Sequence, residues 1–244
     1  MSKVIIGRGG FGEVYYYKDN PGIAYKENHR RCHDLQKEYK MWNQAYRAFI
    51  KYTNSRKNLR KNICIPRPSG WRKSPTNGEK CIFKTARIIP LKGKYTWQAY
   101  IGNTDDPNLD KVVKTNNTIR GRYVGPNVLA KYFDVEKLAY EAGLLIGIVH
   151  YCAKLNGTDT ELVIGKTVSK KDLQLFLIDY DQVCPWNPED PQSKIVRELS
   201  WALSAEPYWP TPESPYHQSF RKGYLEVAQT CGYEDLAKKV LQDF

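Results

Sequence analysis

The sequence predicts an α+β fold of two lobes, a small antiparallel sheet followed by a mostly helical part. Three observations carry this expectation. Val4 to Ile6 turns through "GRGGFGEV" into strand formers at Val14 to Tyr17, and Asp19-Asn20-Pro21-Gly22 turns again into Ile23 to Lys26. From Arg30 to Phe49 helix formers take over, with Leu35, Tyr39, Trp42 and Tyr46 marking one face. Asn127 to Val149 then reads as a long, strongly apolar helix. A boundary near residue 90 divides the chain into a first lobe of residues 1–90 and a second of residues 91–244.

Composition bounds the answer. A chain of 244 residues, 41% of them hydrophobic, is long enough to bury a core. Its longest apolar run, Ala142 to Val149, is too short to span a membrane, and glycines interrupt the early apolar segment where a signal peptide would lie. The six cysteines are scattered without a CxxC pair, which predicts free thiols in a reducing interior, cytoplasmic or nuclear. Net charge is +12, but residues 1–100 carry +16 and the remainder −4. Such a basic first part suits an anionic partner, whether nucleotide, nucleic acid or acidic peptide, or it is simply a solvated lysine-rich surface.

The order of elements in the first lobe discriminates between phosphate-binding loops. A dinucleotide fingerprint or a Walker loop leads into a helix, whereas here the glycines lead into a strand and then a third strand ending in lysine. That order resembles the protein kinases, and the fold it implies is a two-lobed protein-kinase-like one. Gly7, Gly9, Gly10 and Gly12 would let backbone lie against phosphates, Phe11 would cap the loop tip, and Val14 would follow on the next strand. Lys26 supplies positive charge for the phosphates, and an ion pair with Glu38 would hold it there. The bland alternative is a hairpin whose glycines serve only the turn. Lys26, on this reading, is an exposed cleft residue that supplies charge rather than packing.

Further along, Ile63 to Ile65 and Cys81 to Ala86 read as the remaining strands of the small sheet. "TARIIPL" is a hinge, where adenine would meet the backbone and Thr85 and Arg87 would border the pocket. A basic run from Arg56 to Lys73, with Trp71 beside it, is a weaker candidate for nucleic acid, since no RNA-binding signature accompanies it. Between Gly93 and Gly125 the polar, Asn-rich text reads as an irregular lobe-crossing loop. Beyond the long helix, His150 reads as a packed helix-end residue, and Glu161 to Gly165 pairs with Leu175 to Asp179 across a polar turn. Asp179-Tyr180-Asp181 ends an apolar strand, where a hard oxygen anion suits Mg²⁺ and Tyr180 suits packing. Val196 to Ala205 and Ser219 to Phe244 close the lobe as helices.

Four ordered segments, "TARIIPL", "IGIVHYCAKLNGTDTELVIG", "LFLIDYDQVC" and "AEPYWPTP", are similar to an uncharacterised, mostly fungal family with a kinase-like fold, often loosely labelled zinc-finger-like. The resemblance covers part of the hinge and most of the second lobe. It implies that the position of the family's loop aspartate is held by Asn156, whose amide cannot act as a base near neutral pH. The loop's second aspartate corresponds to Asp159, and its glutamate to Glu161. Asp159 is left either to replace the missing base, to bind metal with Asp179, or to cap a turn. Glu161 is a further metal ligand or a partner for Lys26.

Together these residues imply an atypical kinase-like protein that binds ATP and Mg²⁺ between its lobes. The acceptor would be a hydroxyl on a protein or a small molecule. The competing class is a catalytically weak pseudokinase acting as scaffold or interaction module, because the base position holds an amide.

Overall fold

The computed structural model describes residues 2–9, 12–28, 32–73, 81–91, 96–102, 110–115 and 118–244. Gly10 and Phe11 of the glycine turn lie outside the described residues. In chain order the elements begin with strands β1 (Lys3–Gly9), β2 (Gly12–Tyr17) and β3 (Asn20–Asn28), helices α1 (Cys32–Thr53) and α2 (Leu59–Asn62), and strand β4 (Ile63–Cys64). Strands β5 (Ser69–Lys73) and β6 (Cys81–Ala86) complete an antiparallel sheet in the order β1-β2-β3-β6-β5. Helix α1 packs on the chain's core through Leu35, Trp42, Ala45 and Phe49, and Glu38 shares that buried face. Asp34 in its first turn and Lys51 in its last both complement the helix dipole.

A second, seven-stranded sheet adds β7 (Ile89–Pro90), β8 (Trp97–Ala99), β9 (Asp110–Thr115), β10 (Thr118–Val124), β11 (Glu161–Thr167) and β12 (Lys170–Ile178). Its order is β4-β12-β11-β8-β10-β9, with β7 on β11. Because β4 pairs in parallel with β12, the early chain reaches into this second sheet. The Asn-rich stretch read as irregular therefore contains β8 and the β9–β10 hairpin, and β10 runs beside β1. Turn-forming Asn and Asp flank Val112, Val113, Tyr123 and Val124, and they masked the strand formers between them.

Helices α3 (Pro126–Leu129), α4 (Val135–Gly147), α5 (Gln192–Ser204), α6 (His217–Cys231) and α7 (Glu234–Asp243) finish the fold, with a π-helical turn at Ile148–Cys152 after α4. The single helix expected over Asn127 to Val149 is thus broken. Asp134 leaves the helical conformation and caps α4, accepting the Lys137 amide at 3.0 Å. Helices α4 and α6 meet at backbone distance: a Cβ on Gly143 would lie 2.2 Å from the Phe220 carbonyl, and one on Gly223 2.1 Å from that of Tyr140. Only glycine permits this approach.

The expectation of free thiols is overturned. Cys32 is bonded to Cys81, tying the start of α1 to β6, and Cys152 to Cys231, tying the π-helical turn to the end of α6. Cys64 and Cys184 are free. The partners are 49 and 79 residues apart, so spacing alone gave no sign of them. The thiol argument for a reducing compartment falls with it. Among the described residues no helix is long and apolar enough to cross a membrane.

Candidate functional site

Strand register decides which side chains face the cleft. Directly opposed residues of an antiparallel pair share a face, and β3 opposes β6 with Ala24 at Thr85 and Lys26 at Phe83. From that face Lys26 Nζ reaches Glu38 Oε1 at 2.7 Å and Asp179 Oδ1 at 2.8 Å. Three elements, β3, α1 and the end of β12, thus converge on one ammonium. Burial alone would lower the Lys26 pKa; the carboxylates of Asp179 and Glu38 more than reverse it, and the lysine is held protonated. Lys26 is not the exposed cleft residue expected, since its side chain is only 14% accessible and Glu38 is at 2%.

Asp179 sits in the left-handed region at φ 61°, a conformation unusual for a residue with a Cβ. Its neighbour Tyr180 is fully buried and packs against Trp42, whose indole also meets Phe83 edge-on. Turning at Asp179 therefore lets the strand end send its carboxylate toward Lys26 and its next ring into the core.

Next to β3, with Val14 opposite Lys26, the β1–β2 hairpin pairs Gly7 with Val14 and Gly9 with Gly12. Gly12 has a structural cause, because a Cβ there would lie 2.0 Å from the Glu27 carbonyl. Gly7 has none of that kind: the atom nearest its added Cβ is Val14 Cβ at 3.8 Å. Thr85 lies opposite Ala24, with its hydroxyl buried and lacking a hydrogen-bond partner among the described residues. Arg87 is differently engaged. Its amide donates to Gly22 O at 2.9 Å, its guanidinium to Pro21 O at 3.2 Å, and the guanidinium lies 3.5 Å from the Tyr16 ring centroid.

The floor is acidic. Glu161 opens β11 and accepts from Gln98 Nε2 at 2.6 Å; burial first, then the Asp179 charge, push it up to about 8, against Gln98 and Lys26. Asp181 is pushed up to about 6 by burial and Asp179. Asp159, also left-handed at φ 59°, accepts from Gln182 Nε2 at 2.6 Å; burial first, then the Asp159 charge, push Glu206 up to about 7. Asn156 does something else: its side-chain carbonyl accepts the amides of Cys184 at 2.9 Å and Thr158 at 3.3 Å, pinning the loop to the chain after Tyr180. His150 is wholly buried and hydrogen-bonded to the Tyr224 hydroxyl, with burial holding it neutral.

Among the described residues no group of three or more His, Cys, Asp or Glu is already arranged to hold a metal ion. The donor chemistry nonetheless fits Mg²⁺: several carboxylates with raised proton affinity, and buried oxygens of Gln98 and Asp181 without hydrogen-bond partners. A cavity of about 90 Å³ beside Lys26, Asn28, Lys37, Glu38 and Asp181 has room for a few waters and is smaller than a nucleotide. Gln98, Asp181 and Glu206 were not singled out in the sequence. Glu206 left a signal in opening the "EPYWPTP" segment and Asp181 in closing the Asp179-Tyr180-Asp181 motif, whereas Gln98 left none.

The antiparallel sheet, the helix bearing Glu38 and the strand-end aspartate belong to an α+β protein. One solved structure it is similar to is described as WaaP in complex with acyl carrier protein, at 15% identity and TM-score 0.47, covering 98% of this chain and 89% of that one. The sequence matches no family model and no curated protein, so the likeness to a fungal family rests on the four quoted segments alone.

Proposed function

We propose that this chain binds ATP with Mg²⁺ beneath the β1–β2 hairpin and transfers the terminal phosphate to a hydroxyl. The observation that carries this reading is Lys26 held between Glu38 and Asp179 at 2.7 and 2.8 Å. A buried ion pair is a weak source of stability, so three converging elements spent on one ammonium favour a ligand role. Lys26 would bind phosphate oxygens, Gly7 would leave backbone room for them, and Thr85 would border the base. Asp179, with Glu161 and Asp181 nearby, would hold Mg²⁺, which supplies charge neutralisation for the phosphates. In the transfer the acceptor oxygen bonds to the γ-phosphorus while the bond from that phosphorus to the bridging oxygen breaks. The electron pair leaves on ADP, and the hydroxyl proton goes to Asp159.

A second reading, a pseudokinase that retains nucleotide and serves as scaffold, is favoured by one observation. The Asn156 carbonyl is engaged by two backbone amides, so the position implied for the base is a structural clamp. The acceptor, protein or small molecule, is open in either reading. Calorimetric titration with ATP, with and without Mg²⁺, tests what the two share. Phosphate transfer to a panel of proteins and small alcohols then separates them. Absence of ATP binding at millimolar ligand to folded protein would sink both.

A further inference from the structure

Lysines on the later helices are neutralised locally. Lys137 meets Glu141 on α4 at 3.9 Å, Lys194 meets Glu198 on α5 at 4.0 Å, and Lys238 meets Glu234 on α7 at 2.8 Å. Helix α1 departs from that pattern. From Tyr39 to Gly78 the chain holds ten Lys and Arg and no Asp or Glu. Lys40, Arg47 and Lys51 follow one another at seven and four residues, which places them on one face of α1, and all three are exposed. Their side chains make no hydrogen bond or ion pair among the described residues. Like charges four residues apart, as Arg47 and Lys51 are, oppose helix formation, so a merely solvated face would gain from a carboxylate at either position. These two cations line an open cavity of about 390 Å³ together with Tyr46, Ile50 and Asn54. Nearby Arg60 is otherwise engaged: it donates to Thr53 Oγ1 at 2.7 Å and to Ile50 O at 2.9 Å, seating α2 against the end of α1.

We propose that this face of α1 binds single-stranded nucleic acid, its cations tracking the phosphate backbone and Tyr46 stacking against a base. The proposal is independent of the ATP reading, since none of these residues lines the cavity beside Lys26. Charge complementarity selects a polyanion. Lys40 and Lys51 lie about 17 Å apart along the helix, room for several phosphates of one strand. The large exposed apolar side chains among the described residues, Ile5, Ile6, Tyr132, Val168 and Trp201, all lie elsewhere. The face therefore lacks the apolar anchors with which a helix enters a membrane. Lysine is depleted from protein–protein interfaces, whereas nucleic-acid interfaces are strongly basic. Tyr46 decides between duplex and single strand. A half-buried ring in an open cavity beside Arg47 suits an unpaired base, and such stacking tolerates any sequence.

The test uses the full chain and fluorescence anisotropy of a labelled oligothymidylate of about 16 nucleotides. Affinity should fall steeply with salt, because each neutralised phosphate adds about −0.7 to the slope of log K against log salt on a single strand. Combining Lys40→Gln, Arg47→Gln and Lys51→Gln should make that slope shallower by about 2 and lower affinity about a hundredfold at about 0.1 M salt. The three side chains are exposed, so this variant should unfold in urea at the native midpoint. Tyr46→Leu keeps an apolar side chain against the core and should weaken binding about tenfold with the slope unchanged, whereas Tyr46→Phe should bind as the native chain does. No binding of the oligonucleotide, or equal binding by the native chain and the triple variant, would overturn the proposal. Equal affinity in Tyr46→Leu, or a duplex of the same length bound as tightly, would remove the single-strand assignment. Polyglutamate or phosphatidylserine vesicles displacing the oligonucleotide at equal charge would assign the face to an acidic protein or a membrane instead.

Discussion

The ring of Tyr180 lies 5.4 Å from that of Trp42, one helical turn beyond Glu38, so the residue after Asp179 and the helix of Glu38 are packed together. Phe83 meets Trp42 edge-on, with ring centroids 5.5 Å apart. The Tyr180 hydroxyl, however, is buried without a hydrogen-bond partner among the described residues. A buried polar group left unsatisfied costs about 1–3 kcal/mol, so Tyr180→Phe should keep the ring and remove the penalty. Its expected effect is unchanged or higher stability in urea unfolding. Destabilisation by more than about 1 kcal/mol would mean that the hydroxyl has a partner.

Lys26→Ala carries a different expectation from the one its sequence context gave. The lysine is mostly enclosed and neutralises Glu38, which is 2% accessible. Removing one partner of such a pair costs about 3–5 kcal/mol, because the other is left buried and unpaired. Lys26→Ala should therefore lower stability as well as ATP affinity, and adding Glu38→Gln should restore part of the stability but not the affinity. Equal stability of K26A and native protein in denaturant would show the pair to be energetically idle.

The legible part of the site was the part encoded locally. Glycine turn, strand and lysine lie within three consecutive strands, and Glu38 sits on the helix that follows, whose periodicity is plain. Asp179 was legible because an apolar strand ends in a carboxylate. What escaped was set by distant chain. Gln98 reaches Glu161 from a three-residue strand within Asn-rich text, and the Asp159 charge acts on Glu206, 47 residues further on. Arg87 was read as facing the pocket because its neighbours form the hinge, whereas its guanidinium has the Pro21 carbonyl of β3 and the Tyr16 ring of β2 available. Both disulfides belong to the same category, being contacts between residues that no local pattern links.

The acidic floor sets a pH dependence with a definite sign. Glu161 is pushed up to about 8 from the ordinary 4.5, chiefly by burial and then by Asp179. Between those values the folded chain keeps a proton that the unfolded chain has released. Stability is therefore fully present below about pH 4.5 and falls as pH rises toward 8, by at most about 1.4 kcal/mol per pH unit for one proton. Melting curves at about pH 5.5 and about pH 8 should show this fall, and Glu161→Gln should flatten it. Mg²⁺, if it binds these carboxylates, should raise the melting temperature more at the higher pH, where they are ionised. A slope unchanged by Glu161→Gln would show that the carboxyl titrates normally.

Asn156→Asp addresses whether an amide is what limits catalysis here. The side-chain oxygen already accepts two backbone amides, from Cys184 at 2.9 Å and Thr158 at 3.3 Å. An aspartate can accept the same two bonds, so the variant should fold with stability close to native. It should not raise phosphate transfer, since the new carboxylate would face backbone donors that lower its basicity. Asp159→Asn should instead reduce transfer by about 10²-fold or more, the usual contribution of a proton acceptor, while ATP binding measured by calorimetry stays near native. The pair of variants thus separates two sources of a weak reaction. Turnover raised by Asn156→Asp and insensitive to Asp159→Asn would assign the proton-accepting role to position 156, with Asp159 as the loop's turn residue. Turnover lost in Asp159→Asn alone would place the role on Asp159 and leave Asn156 as the clamp that holds the loop against the chain after Tyr180.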